Sequence, residues 1–94
     1  MSVTRTARVP TTSGSRYLQQ LCKHWSHKCE TQFDFSSGWV DLPMGRVTMT
    51  AEPDALVVAL AVADADKVDT MQDVVARHLD RFAFREAPLP FDWQ

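Results

Sequence analysis

Apolar positions in this chain recur with two different periods, and the switch between them sets out the fold. Residues 3–9, VTRTARV, alternate, so Val3, Ala7 and Val9 share one face of a first strand that Pro10 ends. From Arg16 to about His27 the period becomes helical. Tyr17, Leu18, Leu21, Cys22 and Trp25 fall on one arc, with Gln19, Gln20, Lys23 and Ser26 opposite. Ser13 is the expected N-cap of that helix. Alternation then returns in four short runs. Phe33 and Phe35 form the first, followed by a Ser36-Ser37-Gly38 turn. Val40, Leu42 and Met44 form the second, with Trp39 and Asp41 on its other face, and Val47, Met49 and Ala51 the third. Glu52-Pro53-Asp54 supplies a turn before the fourth.

That fourth run, Leu56 to Ala63, is apolar on both sides: Leu56, Val58, Leu60 and Val62 against Val57, Ala59, Ala61 and Ala63. The pattern predicts a central strand covered on both faces, the second by the C-terminal tail, another subunit or a ligand. A second helix follows, capped by Asp64 or Asp66. Val68, Met71, Val75, His78, Leu79 and Phe82 line one face, and Asp73 and Arg77 pair on the other. Pro88 and Pro90 confine the alternating tail Leu89, Phe91, Trp93 to a sheet edge or an extended docking segment. The expected fold is α+β: a four- to six-stranded antiparallel sheet with two helices on one face, in the order β-α-β-β-β-β-α(-β).

At 94 residues this is one domain, spanning 1–94, with a single core. The longest apolar stretch is far below the roughly 20 residues that cross a bilayer, so no membrane association is expected. With no signal peptide and only Cys22 and Cys29, the reading favours free thiols and a cytoplasmic location. Charge is asymmetric. Residues 1–29 carry Arg5, Arg8, Arg16, Lys23 and Lys28 and no acid, while all 12 acids lie from Glu30 onward. Nucleic acid or an anionic ligand would suit such a segment, as would a transit peptide, but the simpler expectation is that it folds against the acidic remainder. Nucleic-acid binding is disfavoured because interleaved aromatics and a concentrated basic stripe are missing.

No phosphate-binding loop, nucleophile elbow or zinc-protease motif is present, which excludes those enzyme classes on motif grounds and leans the reading away from an enzyme. Cys22, His24, His27 and Cys29 crowd eight residues, but their spacing is not that of a structural zinc knuckle. His78 sits on the apolar arc of its helix, where a ring nitrogen needs a partner or a neutral ring. If both helices cover one sheet face, His24 and His78 approach each other. Such a pair would bind an anion, a metal or haem, or would be no more than satisfied core histidines. Arg81, Arg85 and Glu86 surround Phe82 and Phe84, where the arginines would hold a carboxylate or phosphate or cap the helix. The candidate ligand-binding set is therefore His24, His78, Arg81, Arg85, Glu86 and Trp39, with His24, His27 and His78 as weak metal candidates, no catalytic residue and no expected cofactor.

The segments RYLQQLCKHWSHK at 16–28 and VVARHLDRFAFRE at 74–86, with the closing DW at 92–93, resemble a bacterial domain-of-unknown-function family, number 2218. The likeness covers nearly the whole chain and is most specific in the two histidine-bearing helices. It implies a small bacterial protein associated in some relatives with siderophore-interacting flavoproteins, hence with iron handling, and it carries no functional residues over. Two functions are thus expected: a non-enzymatic accessory or binding domain, homodimeric through the open sheet face, or a metal- or haem-linked redox accessory using His24 and His78.

Overall fold

The structure is a computed structural model describing residues 3–94. Strand β1 (Val3–Pro10) leads into helix α1 (Gly14–Trp25). Strands β2 (Thr31–Phe33), β3 (Ser37–Leu42), β4 (Gly45–Glu52) and β5 (Ala55–Val62) follow, then a 3-10 turn (Ala65–Lys67) and helix α2 (Val68–Phe82). The five strands form one antiparallel sheet in the order β1-β5-β4-β3-β2. This is the expected α+β architecture, with the first strand crossing over the meander to pair with the last. Register follows the alternation. Ala7, Val9, Val40, Val47, Met49, Leu56, Val58, Leu60 and Val62 face the helices and are buried with Leu18, Leu21, Met71, Val75 and Leu79 in one core. No helix is long and apolar enough to cross a membrane among the described residues.

Local chemistry moves some of the expected boundaries. Helix α1 starts two residues before Arg16. Gly14 is the reason it can: a Cβ there would lie 3.2 Å from the Ala55 carbonyl oxygen and 3.3 Å from Leu56 Cβ. The Ser13 side chain does not cap the helix; the Ser13 N–H instead donates to Thr11 Oγ1 at 3.1 Å. The helix stops at Trp25, and the Ser26 hydroxyl donates to the Lys23 carbonyl at 2.7 Å. Strand β2 ends at Phe33 rather than running to Phe35, because Asp34 Oδ1 accepts the N–H groups of Ser36 and Ser37 and folds the chain into a turn. Those bonds hold the Asp34 carboxyl below its ordinary range and leave Phe35 80% exposed. Ser37 and Gly38, expected as turn residues, belong to β3. Gly38 lets α1 approach the sheet, since a Cβ would sit 3.0 Å from Cys22 Sγ and 2.7 Å from Phe33 Cβ.

The C-terminal tail is not the cover of the outer sheet face. Across it run the rows Thr4–Ala61–Arg46–Asp41, Thr6–Ala59–Thr48–Trp39–Gln32 and Arg8–Val57–Thr50–Ser37. None of the described elements covers this face. Val57 and Ala59 are half-buried between their strand neighbours, and Ala61 and Ala63 are exposed. Alanine's small side chain limits the apolar area that β5 leaves on this face. The tail goes to the edge instead. Leu89 is buried in the core, and its N–H donates to Asp80 Oδ1 at 2.9 Å. Phe91 stacks on Trp93, and Gln94 exchanges both backbone hydrogen bonds with Thr6 at the edge of β1. Two prolines in this tail leave it few donors, so it extends the sheet by one residue pair only.

Candidate functional site

Helices α1 and α2 lie side by side on the sheet, α1 over β3 and β4 and α2 over β5. Their facing ridges bring together groups that are 54 residues apart in the chain. His24 and His78 stand with ring centroids 5.2 Å apart. His78 also lies 4.8 Å from the Trp25 ring, and His24 meets Phe82 edge-on at 5.8 Å. The two imidazoles thus meet over an aromatic floor.

They occupy different environments. His78 is half-buried at the margin of its helix's apolar face, less deeply than its position on the arc predicts. Its Nδ1 donates to the Val74 carbonyl one turn back, at 2.7 Å. That bond makes Nδ1 the donor and leaves Nε2 as the free edge of the ring. His24 is more exposed, and its pKa is nevertheless pushed down. Partial desolvation is the largest cause, followed by the positive fields of His78, Arg81, Lys28 and His27. Every charge that acts on His24 is of one sign. Arg77, His78 and Arg81 line a recess of about 270 Å³ on the flank of α2. His27 lies in the exposed turn after α1 and contributes charge rather than contact.

The other predicted site residues go elsewhere. Trp39 is on the opposite face of the sheet, where the Arg46 guanidinium sits 4.0 Å from its ring centre and makes two hydrogen bonds to Asp41. It takes no part in the seam. Glu86 is used internally. Its carboxylate accepts from the Thr11 hydroxyl, 3.0 Å to either oxygen, and from the Tyr17 hydroxyl. Thr11 and Tyr17 are both buried. Burial, reinforced by the bond to Glu86, raises the Tyr17 pKa above 10.0. Arg85 is exposed beside Phe84. It lines a separate recess of about 200 Å³ with Arg16, Tyr17, Gln20, Phe82 and Phe84. The sequence reading missed Arg16, Gln20 and Phe84 as site residues. The spacing of four that puts Arg16, Gln20 and His24 on one ridge of α1 was the available signal. Cys22 is buried, with its thiol pKa raised by burial, and Cys29 is half-buried; both are free thiols and neither reaches the seam.

Sheet, helix pair and seam together define a two-layer α+β domain with a cationic, aromatic-floored cleft between its helices. The chain belongs to a family of uncharacterised proteins conserved in bacteria (DUF2218), whose model matches residues 6–94. The NMR structure of PA4090 from Pseudomonas aeruginosa is similar throughout: 37% identity, a TM-score of 0.80, and coverage of 97% of this chain and 94% of that one. A search of curated proteins finds no match.

Proposed function

We propose that this protein is a non-enzymatic binding domain that takes an anion, a carboxylate or phosphate group, at the seam between α1 and α2. One observation carries the reading: His24 and His78 meet at 5.2 Å beside Arg81, and the side chains that depress the His24 pKa are all basic. A field that repels a proton from an imidazole attracts an anion. Arg81 supplies a planar double donor, and the imidazoles supply N–H groups once protonated. Anion binding should then take up a proton at His24. Chemical-shift mapping with inorganic phosphate and with citrate, at pH 6 and pH 7.5, tests this. The His24, His78 and Arg81 signals should move, more strongly at pH 6, and Arg81→Ala should weaken the response. Absence of any localised shift at millimolar anion would sink the reading.

The same sign of charge disfavours a bare metal cation at this place. His24 and His78 offer two imidazoles. Among the described residues, no group of three or more His, Cys, Asp or Glu side chains is placed to hold a metal. A metal or haem iron bound here would draw its remaining ligands from outside the chain. Zinc or haemin titration followed by the histidine resonances separates the two cases.

A second reading concerns the uncovered sheet face, which we propose as a surface for a second copy of the chain. Val57 and Ala59 form an apolar centre, with the Arg46–Asp41 pair on one side and Arg8 with Glu52 and Asp54 on the other. Two such faces related by a two-fold axis can match apolar centre to apolar centre and acid to base. Light scattering after size-exclusion should show a dimer that Val57→Lys dissociates; a monomer at high protein concentration refutes it.

A further inference from the structure

The second recess differs from the seam in its chemistry. Arg16 projects from the first turn of α1 and Arg85 from the segment after α2, and neither makes an ion pair among the described residues. Their freedom is notable because one carboxylate, Glu86, adjoins Arg85 in the chain and bonds the residue next to Arg16. That carboxylate is held by two neutral hydroxyls, Thr11 and Tyr17. The internal acid is thereby occupied without spending either guanidinium. Between the arginines stand Phe82 and Phe84, the latter 73% exposed, and the amide of Gln20. An exposed phenyl ring, with the Arg85 guanidinium 5.8 Å from its centre and Arg16 lining the same recess, matches a ligand with an aromatic face and an acidic edge.

We propose that Arg16, Gln20, Phe82, Phe84 and Arg85 form a binding site for a planar aromatic carboxylate. The carboxylate is held by the guanidiniums and the ring lies against Phe84. A volume of about 200 Å³ accommodates one fused bicyclic ring and little more. The site is distinct from the histidine seam, although Phe82 is shared: one part of its ring meets His24 while it also walls this recess. Selectivity here comes from the ring, whereas the seam selects by charge alone.

The test is a backbone amide shift titration of the intact protein with 2-naphthoate, cyclohexanecarboxylate and inorganic phosphate. 2-Naphthoate should move the Gln20, Phe84 and Arg85 signals and bind about three- to tenfold more tightly than cyclohexanecarboxylate, the gain expected of an aromatic contact. Phe84→Ala should abolish that preference, and Arg16→Ala or Arg85→Ala should weaken both acids. Arg16, Phe84 and Arg85 are all exposed, so none of these substitutions opens the core, and unchanged amide spectra away from the site confirm that each variant still folds. Equal affinity for the ring-less acid, or shifts that map only to His24 and His78, would overturn the aromatic site while leaving the seam's anion binding standing. Phosphate shifts at His24 that persist in Arg85→Ala show the two sites to be separate; their loss in that variant would overturn the separation.

Discussion

Glu86→Ala should destabilise the fold by about 2–4 kcal/mol, although the residue itself is exposed. Its carboxylate accepts from both the Tyr17 and the Thr11 hydroxyls. Both donors belong to side chains just 6% exposed. Stranding a buried hydroxyl costs about 1–3 kcal/mol. Thr11 falls at the low end, because its oxygen still accepts the Ser13 N–H. Tyr17 falls higher, since its ring is fixed in the core and its oxygen cannot swing out to water. Tyr17→Phe should cost less, about 1 kcal/mol, because the exposed carboxylate it abandons recovers water. The double variant should then show a coupling energy of about 1 kcal/mol. Urea unfolding followed by far-ultraviolet circular dichroism and tryptophan fluorescence gives all three values. Glu86→Ala within about 0.5 kcal/mol of wild type, or strict additivity with Tyr17→Phe, would refute the claim that these hydroxyls depend on the carboxylate.

Other consequences can be checked as directly. The His24 imidazole should titrate below 6.5, and Arg81→Ala should raise its pKa; a value at or above 6.5 in proton NMR contradicts the positive field. Because the folded-state pKa is depressed, the unfolded chain binds the proton more readily between the two values. This histidine's contribution to stability should therefore grow as pH rises towards and through 6.5, and Arg81→Ala should flatten that dependence. Gly45→Ala should cost about 2–4 kcal/mol in urea unfolding, since its Cβ would fall 2.0 Å from the Ala61 carbonyl oxygen, in backbone that cannot yield without breaking the β4–β5 ladder. Asp64→Ala should cost about 0.5–2 kcal/mol by removing the oxygen that accepts the Asp66 N–H at the start of the turn into α2.

The fold was legible wherever one periodicity ran for a full element. The alternation of β4 and the helical spacing of α1 and α2 name the core residues correctly, because a period of two or 3.6 leaves one face to bury. Reading failed where a side chain competed with the backbone. Phe33 and Phe35 alternate as a strand would, but Asp34 between them makes a turn more favourable than a further ladder pair. On β5, apolar residues on both faces suggested a cover, and among the described residues the C-terminal tail does not supply it. The meeting of His24 and His78 was legible in part: each helix showed where its histidine lay, and a shared sheet face brings such ridges together. The role of Glu86 was not. It depends on a contact spanning 75 residues, set by how the chain leaves α2 relative to the entry into α1, and no local pattern encodes that.

The disposition of charge joins these observations. A basic N-terminal segment and an acidic remainder suggest mutual neutralisation, yet among the described residues only Arg8 of its five cations finds acids, Glu52 and Asp54. Arg5 turns back on the Thr4 carbonyl, and Arg16, Lys23 and Lys28 make no ion pair among the described residues. On the other side of the cleft Arg81 and Arg85 are equally free, whereas Arg46 and Arg77 on outward surfaces each take an aspartate. Among the described residues, ion pairs thus form on the sheet's outer face and at Arg77, while Arg16, Arg81 and Arg85 along the two helices carry none. Exposed pairs are worth about 1 kcal/mol at most, so leaving these cations free costs the fold little. What it leaves is a positive field along the α1–α2 cleft, and aromatic rings in that cleft strengthen any anion's interaction by excluding water beside it. A protein that merely needed solubility would gain as much from paired charges in the same places. Arg16, Arg81 and Arg85 left without ion pairs among the described residues, with the Glu86 carboxylate bonded to neutral hydroxyls, support the proposed acidic ligand.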